Sequence, residues 1–77
     1  MTLSKIKPGE RATIRRVQGG EGLIHRLAAM GILPGRELTV VRNAGAMIVR
    51  LRNDRFVVGR GMAQHIIVEA AAATPRN

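Results

Sequence analysis

The side chains of this sequence that could take part in catalysis are few and form no recognisable motif. A nucleophile needs a general base within hydrogen-bond reach. His25 and His65 are the only imidazoles, and the chain has no cysteine. The residues that carry a hydroxyl group are Thr2, Ser4, Thr13, Thr39 and Thr74. None of them lies in a motif that would pair it with a base, so the sequence predicts no catalytic residue and a protein that is not an enzyme.

The two histidines are also the first candidates for metal binding. They lie in different predicted elements, and neither has a carboxylate at a spacing typical of metal ligands. Ferrous sites usually add carboxylate ligands, and without cysteine no thiolate site can form. The sequence therefore predicts no metal site and no cofactor, with His25 as an exposed helix residue and His65 as a turn residue.

Two glycine-containing stretches have some features of a phosphate-binding loop. Residues 19–22, Gly-Gly-Glu-Gly, precede a predicted helix, which is the right local geometry for an anion. However, Glu21 places a negative charge where phosphate would lie, and no Lys-Ser/Thr follows. Residues 59–61, Gly-Arg-Gly, lack a third glycine and the βαβ context. Both stretches are interpreted as loops.

The charge of the chain indicates an acidic partner. Eleven arginines and two lysines against five acidic residues give a formal net charge of +8. Nucleic acid, an anionic membrane surface and an acidic protein face would all be attracted. Nucleic acid is disfavoured, because a single phenylalanine cannot form a stacking platform and no recognition helix is present. No run of about 18 apolar residues occurs, so we expect no membrane span and a cytoplasmic protein.

One helix is strongly indicated near the middle of the chain. From Glu21 onward, Leu23, Leu27 and Met30 recur at helical spacing on one face, and Gly31 follows the last of them. Glycine at that position is typical of a helix end. Pro34-Gly35 then predicts the centre of a type II turn that leads directly into a strand.

Short alternating stretches on both sides of this helix predict about five strands. They cover residues 10–17, 36–43, 47–52, 55–58 and 66–69, and residues 62–64 are predicted to form a single helical turn. A bulge or the end of the strand is expected at Arg16-Val17, where the alternation breaks, and tight turns are expected at 43–46 and at Asn53-Asp54. The lead-in at 1–9 is expected to place Leu3 and Ile6 against the core. The sequence thus predicts one mainly β domain over 1–77, a small barrel with one inserted helix and a frayed tail at 70–77.

Several of these segments resemble a known family. The stretch Leu27-Ala28-Ala29-Met30-Gly31-Ile32-Leu33-Pro34-Gly35 before a strand is similar to the helix-to-strand motif of the ferrous iron transport protein A (FeoA) family. Residues 57–63 and 66–68 are similar to the C-terminal half of the same family, and the resemblance covers residues 3–69. It implies an SH3-like β-barrel, a cytosolic location and an accessory role beside the membrane GTPase permease that imports ferrous iron. It implies no catalytic residues.

The strands also carry apolar residues on the face expected to point outward. Ile48 and part of the 56–58 and 66–68 stretches cannot all face the interior of a small barrel. Either the N-terminal lead-in, the helix or the tail covers these residues, or they form an exposed apolar patch beside arginines, which is typical of a docking surface. The predicted partner contacts are Met30, Leu33, Arg50, Arg55 and Arg60, and the predicted partner is the cytosolic part of the ferrous iron permease.

Three alternatives stay open at this point. The first is a nucleic-acid-associated regulatory barrel, such as an accessory domain of a metal-dependent transcriptional repressor, because related barrels occur there. The second is self-association of the chain through the same apolar surface. The third is that the chain is a permease-fused domain taken by itself. Fold kinship alone does not choose between these roles.

Overall fold

The computed structural model describes residues 1–71, and they form five antiparallel strands with one main helix. The strands are β1 (Arg11–Val17), β2 (Glu37–Ala44), β3 (Ala46–Leu51), β4 (Asp54–Val58) and β5 (Ile66–Ala70), and the helices are α1 (Glu21–Ala29) and the single turn α2 (Arg60–Ala63). A short 3-10 helix, Leu3–Lys5, precedes β1. The prediction of a mainly β fold with five strands and one inserted helix is confirmed. Ala70 belongs to β5 rather than to the predicted tail, and residues 72–77 lie outside the described part of the chain.

The core lies on the inner face of the sheet, where strand alternation places it. Residues of β1, β2 and β3 alternate between buried and accessible, as an antiparallel sheet with one covered face requires. Leu3 and Ile6 of the N-terminal segment are buried with the strand residues, as predicted. The buried side chains of the strands and of α2 are Ala12, Ile14, Leu38, Val40, Met47, Val49, Leu51, Val58, Ala63, Ile66 and Val68.

Helix α1 covers this core and ends at the predicted glycine. Leu27 is fully buried, and Leu23 and Met30 pack against the core while remaining partly accessible. The Gly31 N–H donates to the Ala28 carbonyl (2.9 Å) and the Ile32 N–H donates to the Leu27 carbonyl (2.9 Å), which is the Schellman arrangement. Gly31 has φ +88°, a conformation that costs glycine little. The helix end predicted from the sequence is confirmed.

The next turn is also as predicted. Gly35 has φ +91°, and the Arg36 N–H donates to the Leu33 carbonyl at 3.1 Å, which closes a turn around Pro34-Gly35. The Gly35 N–H donates to the carbonyl of Ile14 in β1 (2.7 Å), and the Ile14 N–H donates to the Arg36 carbonyl (2.8 Å). This turn therefore joins the start of β2 to β1.

Three local predictions, two turns and the start of α2, differ from the structure by one or two residues. The β3–β4 turn uses Arg52 and Asn53 rather than Asn53-Asp54, because Leu51 pairs with Asp54 and must point into the core. Arg52 takes a positive φ of 62° as a consequence. Asn43 lies in β2, as the predicted strand 36–43 has it, but it pairs with Met47 and Ala44 pairs with Ala46, so the turn predicted at 43–46 narrows to Gly45.

The short helical turn after β4 also begins earlier than predicted. It starts at Arg60, with Gly59 as its N-terminal cap residue, rather than at residue 62. Residues 59–61 were interpreted as a loop, whereas Gly59 caps α2 and Gly61 lies within it, and neither glycine has a positive φ. The result is that Arg60 is placed at the start of α2.

Two bulges adjust which face each residue occupies. The β1–β5 pairing shifts between Ile14 and Arg16, so the bulge lies one residue before the predicted position at Arg16-Val17, and β1 ends at Val17. The β2–β3 pairing shifts between Val40 and Arg42, and this second bulge was not predicted. Because a one-residue shift moves every later side chain to the opposite face, Arg42 lies on the outer face instead of the core.

The two edges of the sheet are treated differently. Strand order is β4-β3-β2-β1-β5, so β4 and β5 are the outermost strands. The N-terminus covers β5: Thr2 forms a bridge to Ile67, and the Val68 N–H donates to the Met1 carbonyl at 2.8 Å. Within residues 1–71, no strand pairs with β4 on the side away from β3. A further observation is that none of the described helices is long and apolar enough to cross a bilayer.

Candidate functional site

The outer face of β2, β3 and β4 carries a small apolar area bordered by arginines. Strand pairing aligns Arg42, Ile48 and Val57 in one row across the three strands, and Arg50 with Arg55 in the next row. Val57 is 66% exposed and Ile48 is half-buried, while the three arginines are exposed. We call these five residues the arginine-rimmed surface. Its apolar centre and cationic border fit a partner with acidic and apolar side chains.

The arginine pair in this surface is unfavourable for the isolated protein. Arg50 and Arg55 are direct cross-strand partners in the antiparallel register, where Cβ atoms lie about 4.5–5.5 Å apart. Like charges in that position destabilise a sheet. Within residues 1–71 neither arginine has a carboxylate partner, whereas Arg15 pairs with Glu69 at 3.3 Å on the neighbouring part of the sheet. A partner's carboxylates would relieve this repulsion.

Met30 and Leu33, the predicted contacts at the helix end, are less exposed to solvent than the arginines of the arginine-rimmed surface. Both are half-buried, and Met30 packs against the core cluster. They lie on either side of the Gly31-Ile32 pair, and a Cβ added at Gly31 would lie 2.7 Å from Leu51 Cδ2 at the end of β3. This end of the molecule is also where Arg50 and the β3–β4 turn lie, so Met30 and Leu33 are at the same end of β3 as the arginine pair.

Arg60, the fifth predicted contact, is held in a network at the opposite end of β3. Its Nη1 donates to Asn43 Oδ1 (2.8 Å) and to the Gly45 carbonyl (3.1 Å). Asn43 Nδ2 in turn donates to the carbonyls of Ser4 (3.1 Å) and Ile6 (2.9 Å). One amide thus links the N-terminal segment, the β2–β3 hairpin and α2. Five residue steps separate Ala46 from Leu51, so about 17 Å lies between the two ends of β3.

We expect Asn43→Ala to destabilise the protein by about 2 kcal/mol. The substitution removes two donors from carbonyls that have no other donor in this network, and each such hydrogen bond contributes about 1 kcal/mol. Chemical denaturation followed by circular dichroism would measure it. Arg60→Ala is the matched control, since it removes only exposed hydrogen bonds, and a loss as large as that of Asn43→Ala would contradict the assignment of Asn43 as the centre of the network.

The histidines do not come together in a site. His25 is exposed on α1, on the side away from Leu23, and lines an open hollow of about 260 Å³ with Glu21 and Gly22. His65 is exposed in the turn before β5, beside Gly19 on the Leu23 side of the helix. No group of three or more potential metal ligands occurs within residues 1–71. The described residues therefore offer no side-chain cluster from which a metal site could be argued.

Two residues of this region were not found from the sequence. Simple alternation along β2 assigns Arg42 to the core face. The bulge between Val40 and Arg42 instead places Arg42 on the arginine-rimmed surface. The adjacent Val40-Val41 pair was the available indication, because it breaks alternation just as Arg16-Val17 does in β1. Asn43 was interpreted as a turn residue, and nothing in the sequence indicates its hydrogen bonds to a segment 37 and 39 residues away.

Comparison with known proteins identifies a family for this fold. The FeoA domain model matches residues 1–70. A relative from Methanocaldococcus jannaschii, named "Putative Fe(2+) transport protein A", is 37% identical over 70 residues, which cover 90% of this chain and 85% of the relative.

Solved structures show how widely the fold occurs. FeoA of Stenotrophomonas maltophilia, described as an SH3 domain protein complexed with zinc, superimposes with a TM-score of 0.80 at 24% identity and covers 90% of this chain and 89% of its own. The predicted SH3-like fold is thereby confirmed. A manganese-dependent transcriptional repressor matches with a TM-score of 0.86 at 21% identity, over 92% of this chain and 36% of its own. At these identities the two likenesses concern the fold alone.

Proposed function

The chain belongs to the FeoA family, and from this premise we propose that it is a non-enzymatic regulatory protein of ferrous iron uptake that docks on the cytosolic GTPase part of the ferrous iron permease. The proposal takes the chain as one domain over residues 1–77, located in the cytoplasm. Association with ferrous iron transport follows from the family. The docking step is supported by the arginine-rimmed surface described above.

The observation that carries the proposal is the uncompensated Arg50–Arg55 pair beside exposed Val57. A surface that destabilises the free protein is retained most simply when a partner compensates for it, as at other functional sites. Arginine suits such a contact because its planar guanidinium pairs with carboxylates through two hydrogen bonds. We therefore place the centre of docking at Arg50 and Arg55.

The other three predicted contacts, Met30, Leu33 and Arg60, lie at different distances from the arginine pair. Met30 and Leu33 lie at the same end of β3 as the arginine pair, but beside Leu51 on the core side of the strand, so they would border the contact rather than form part of its outer face. Arg60 is already bound by Asn43 and Gly45, about 17 Å away along β3. Alanine substitution of Arg60 checks whether it contributes to binding at all.

The decisive experiment titrates this chain against the isolated cytosolic domain of the permease encoded in the same genome. Isothermal calorimetry is done with no nucleotide, with GDP and with a non-hydrolysable GTP analogue. We expect a dissociation constant at or below the order of tens of micromolar in at least one state, the range of weak signalling contacts. No heat of binding in any state at about 100 µM would contradict direct docking.

The alternative is a nucleic-acid-associated role, which the net charge of +8 supports. Among residues 1–71, the arginines are distributed over β1, α1, β2, β3, β4, α2 and the connecting turns, and they form no single stripe along one element. Phosphate binding would appear as retention on a duplex DNA column that falls steeply as salt rises. Such retention together with no permease binding would favour the alternative over the proposed function.

A further inference from the structure

Strand β4 has an open edge whose hydrogen-bonding groups can be assigned from the register. The two-residue turn Arg52-Asn53 is closed by Leu51 and Asp54, and antiparallel pairs then alternate between hydrogen-bonded and non-bonded. Val49–Phe56 is the next bonded pair, so Phe56 directs its backbone groups to β3. Arg55 and Val57 belong to the non-bonded pairs, and their N–H and C=O groups point away from β3, to the free edge.

No other part of the described chain uses this edge. Within residues 1–71, no backbone or side-chain hydrogen bond from outside β3 reaches β4. The opposite edge, β5, is paired with Met1 and Thr2. An open edge strand is a template for pairing with another extended chain.

The side chains beside this edge define which chain fits. An added strand would place one side chain opposite Arg55 and, two residues along, one opposite Val57, on the same outer face. A carboxylate opposite Arg55 would also lie near Arg50 and offset the repulsion within the arginine pair. An apolar side chain opposite Val57 would cover its 66% exposed surface. The favoured segment therefore has an acidic and an apolar residue at a spacing of two.

A second copy of the chain is a poor occupant on the same grounds. Pairing β4 with β4 of another copy would bring two Arg50–Arg55 pairs onto one continuous face. Each copy also carries a net charge of +8. Repulsion between these charges disfavours self-pairing at this edge.

We propose that β4 accepts an extended acidic segment of the partner protein as an added strand, held by the backbone of Arg55 and Val57 and by the charges of Arg50 and Arg55. This deepens the proposed function and rests on it for the source of the segment, the cytosolic part of the permease. The recognition itself is a property of this chain and is tested separately below.

The first test uses a synthetic peptide and the wild-type chain. The peptide has about twelve residues, with Glu and Val alternating on one face of the strand and Thr on the other. NMR hydrogen exchange is measured with and without it. We expect the amides of Arg55 and Val57 to exchange at least tenfold more slowly with the peptide, while Phe56, already bonded to β3, changes little. Lys in place of Glu should abolish the effect, and unchanged exchange at Arg55 and Val57 with the Glu peptide would overturn the proposal.

The second test separates the backbone from the side chain. Val57→Pro removes one N–H from the free edge and leaves every hydrogen bond to β3 in place. Edge strands tolerate proline at such a position, where the N–H faces away from the neighbouring strand. Val57→Thr keeps both the N–H and the β-branched shape. We expect Val57→Pro to weaken peptide binding at least tenfold and Val57→Thr to weaken it less than threefold. Equal binding by the two variants, both shown to be folded by their NMR spectra, would overturn strand addition.

The permease domain then distinguishes the two proposals. If it binds wild type and Val57→Pro equally, docking stands and strand addition is wrong. If it does not bind at all while the Glu peptide protects Arg55 and Val57, strand addition stands and permease docking is wrong. Protection of the same amides by concentration alone, without peptide, would show self-pairing and overturn the choice of an acidic partner.

Discussion

Gly31→Ala should destabilise the protein by about 2–5 kcal/mol, the largest effect we expect from any single added methyl group. Gly31 has φ +88°, where an L-residue costs about 1–2 kcal/mol. A Cβ there would lie 2.7 Å from Leu51 Cδ2, and Leu51 is itself buried. Overpacking of this kind adds about 1–3 kcal/mol. Thermal unfolding would show a melting temperature lowered by roughly 10 °C or more.

Gly35→Ala is the matched control for this prediction. Gly35 has nearly the same φ, +91°, but nothing lies within 4 Å of the position its Cβ would occupy. Only the backbone cost remains, so the expected loss is about 1–2 kcal/mol. The difference between the two variants measures the close approach of α1 to β3. Equal losses would mean that Leu51 moves aside freely and that the tight contact has no energetic role.

The parts of the fold that could be predicted are those encoded by neighbouring residues. The apolar stripe Leu23–Leu27–Met30 and the glycine after it specify a helix and its end within one short stretch. The Pro34-Gly35 turn and the bulge near Arg16 are equally local, because the backbone preference or the break in alternation is visible in the residues themselves. The helix end and the turn were confirmed, and the bulge lies one residue before its predicted position.

The errors arose where distant pairing decides the conformation. The β3–β4 turn falls on Arg52-Asn53 because Leu51 is drawn into the core, and that demand outweighs the preference of Asn and Asp for turn positions. The bulge in β2 moves Arg42 to the outer face, and this bulge is defined by the pairing of β2 with β3 rather than by the residues next to Arg42. Propensity is a weak guide when the packing of a buried residue sets the register.

The residue types of the candidate surface could be predicted from the sequence, but the relative positions of these residues could not. Arg50 and Arg55 were predicted as contacts one residue at a time, and only strand pairing shows that they face each other. Arg60, predicted with them, is bound to Asn43 at the far end of β3. The open edge of β4 is a property of the whole sheet, since it depends on the N-terminus having paired with β5 instead. No local stretch of sequence contains that information.

Arg50→Glu should weaken docking and stabilise the free protein at the same time. Placing a carboxylate opposite Arg55 converts a repulsive cross-strand pair into an attractive one, which contributes about 0.2–1 kcal/mol. The melting temperature should rise by a few degrees at low salt, and the gain should shrink at about 1 M salt, where exposed charges are screened. Binding of the permease domain or of the Glu peptide should weaken at least tenfold, because an acidic partner now meets a carboxylate.

Opposite changes in stability and binding are what identify a surface kept for a partner. Loss of binding through damage to the fold would lower both quantities, so the sign of the stability change excludes that explanation. Arg16→Glu makes the same change in net charge on exposed β1, away from β4, and should leave binding within about threefold of wild type. If Arg16→Glu weakened binding as much as Arg50→Glu does, attraction would depend on net charge alone. The arginine pair would then have no specific part in docking.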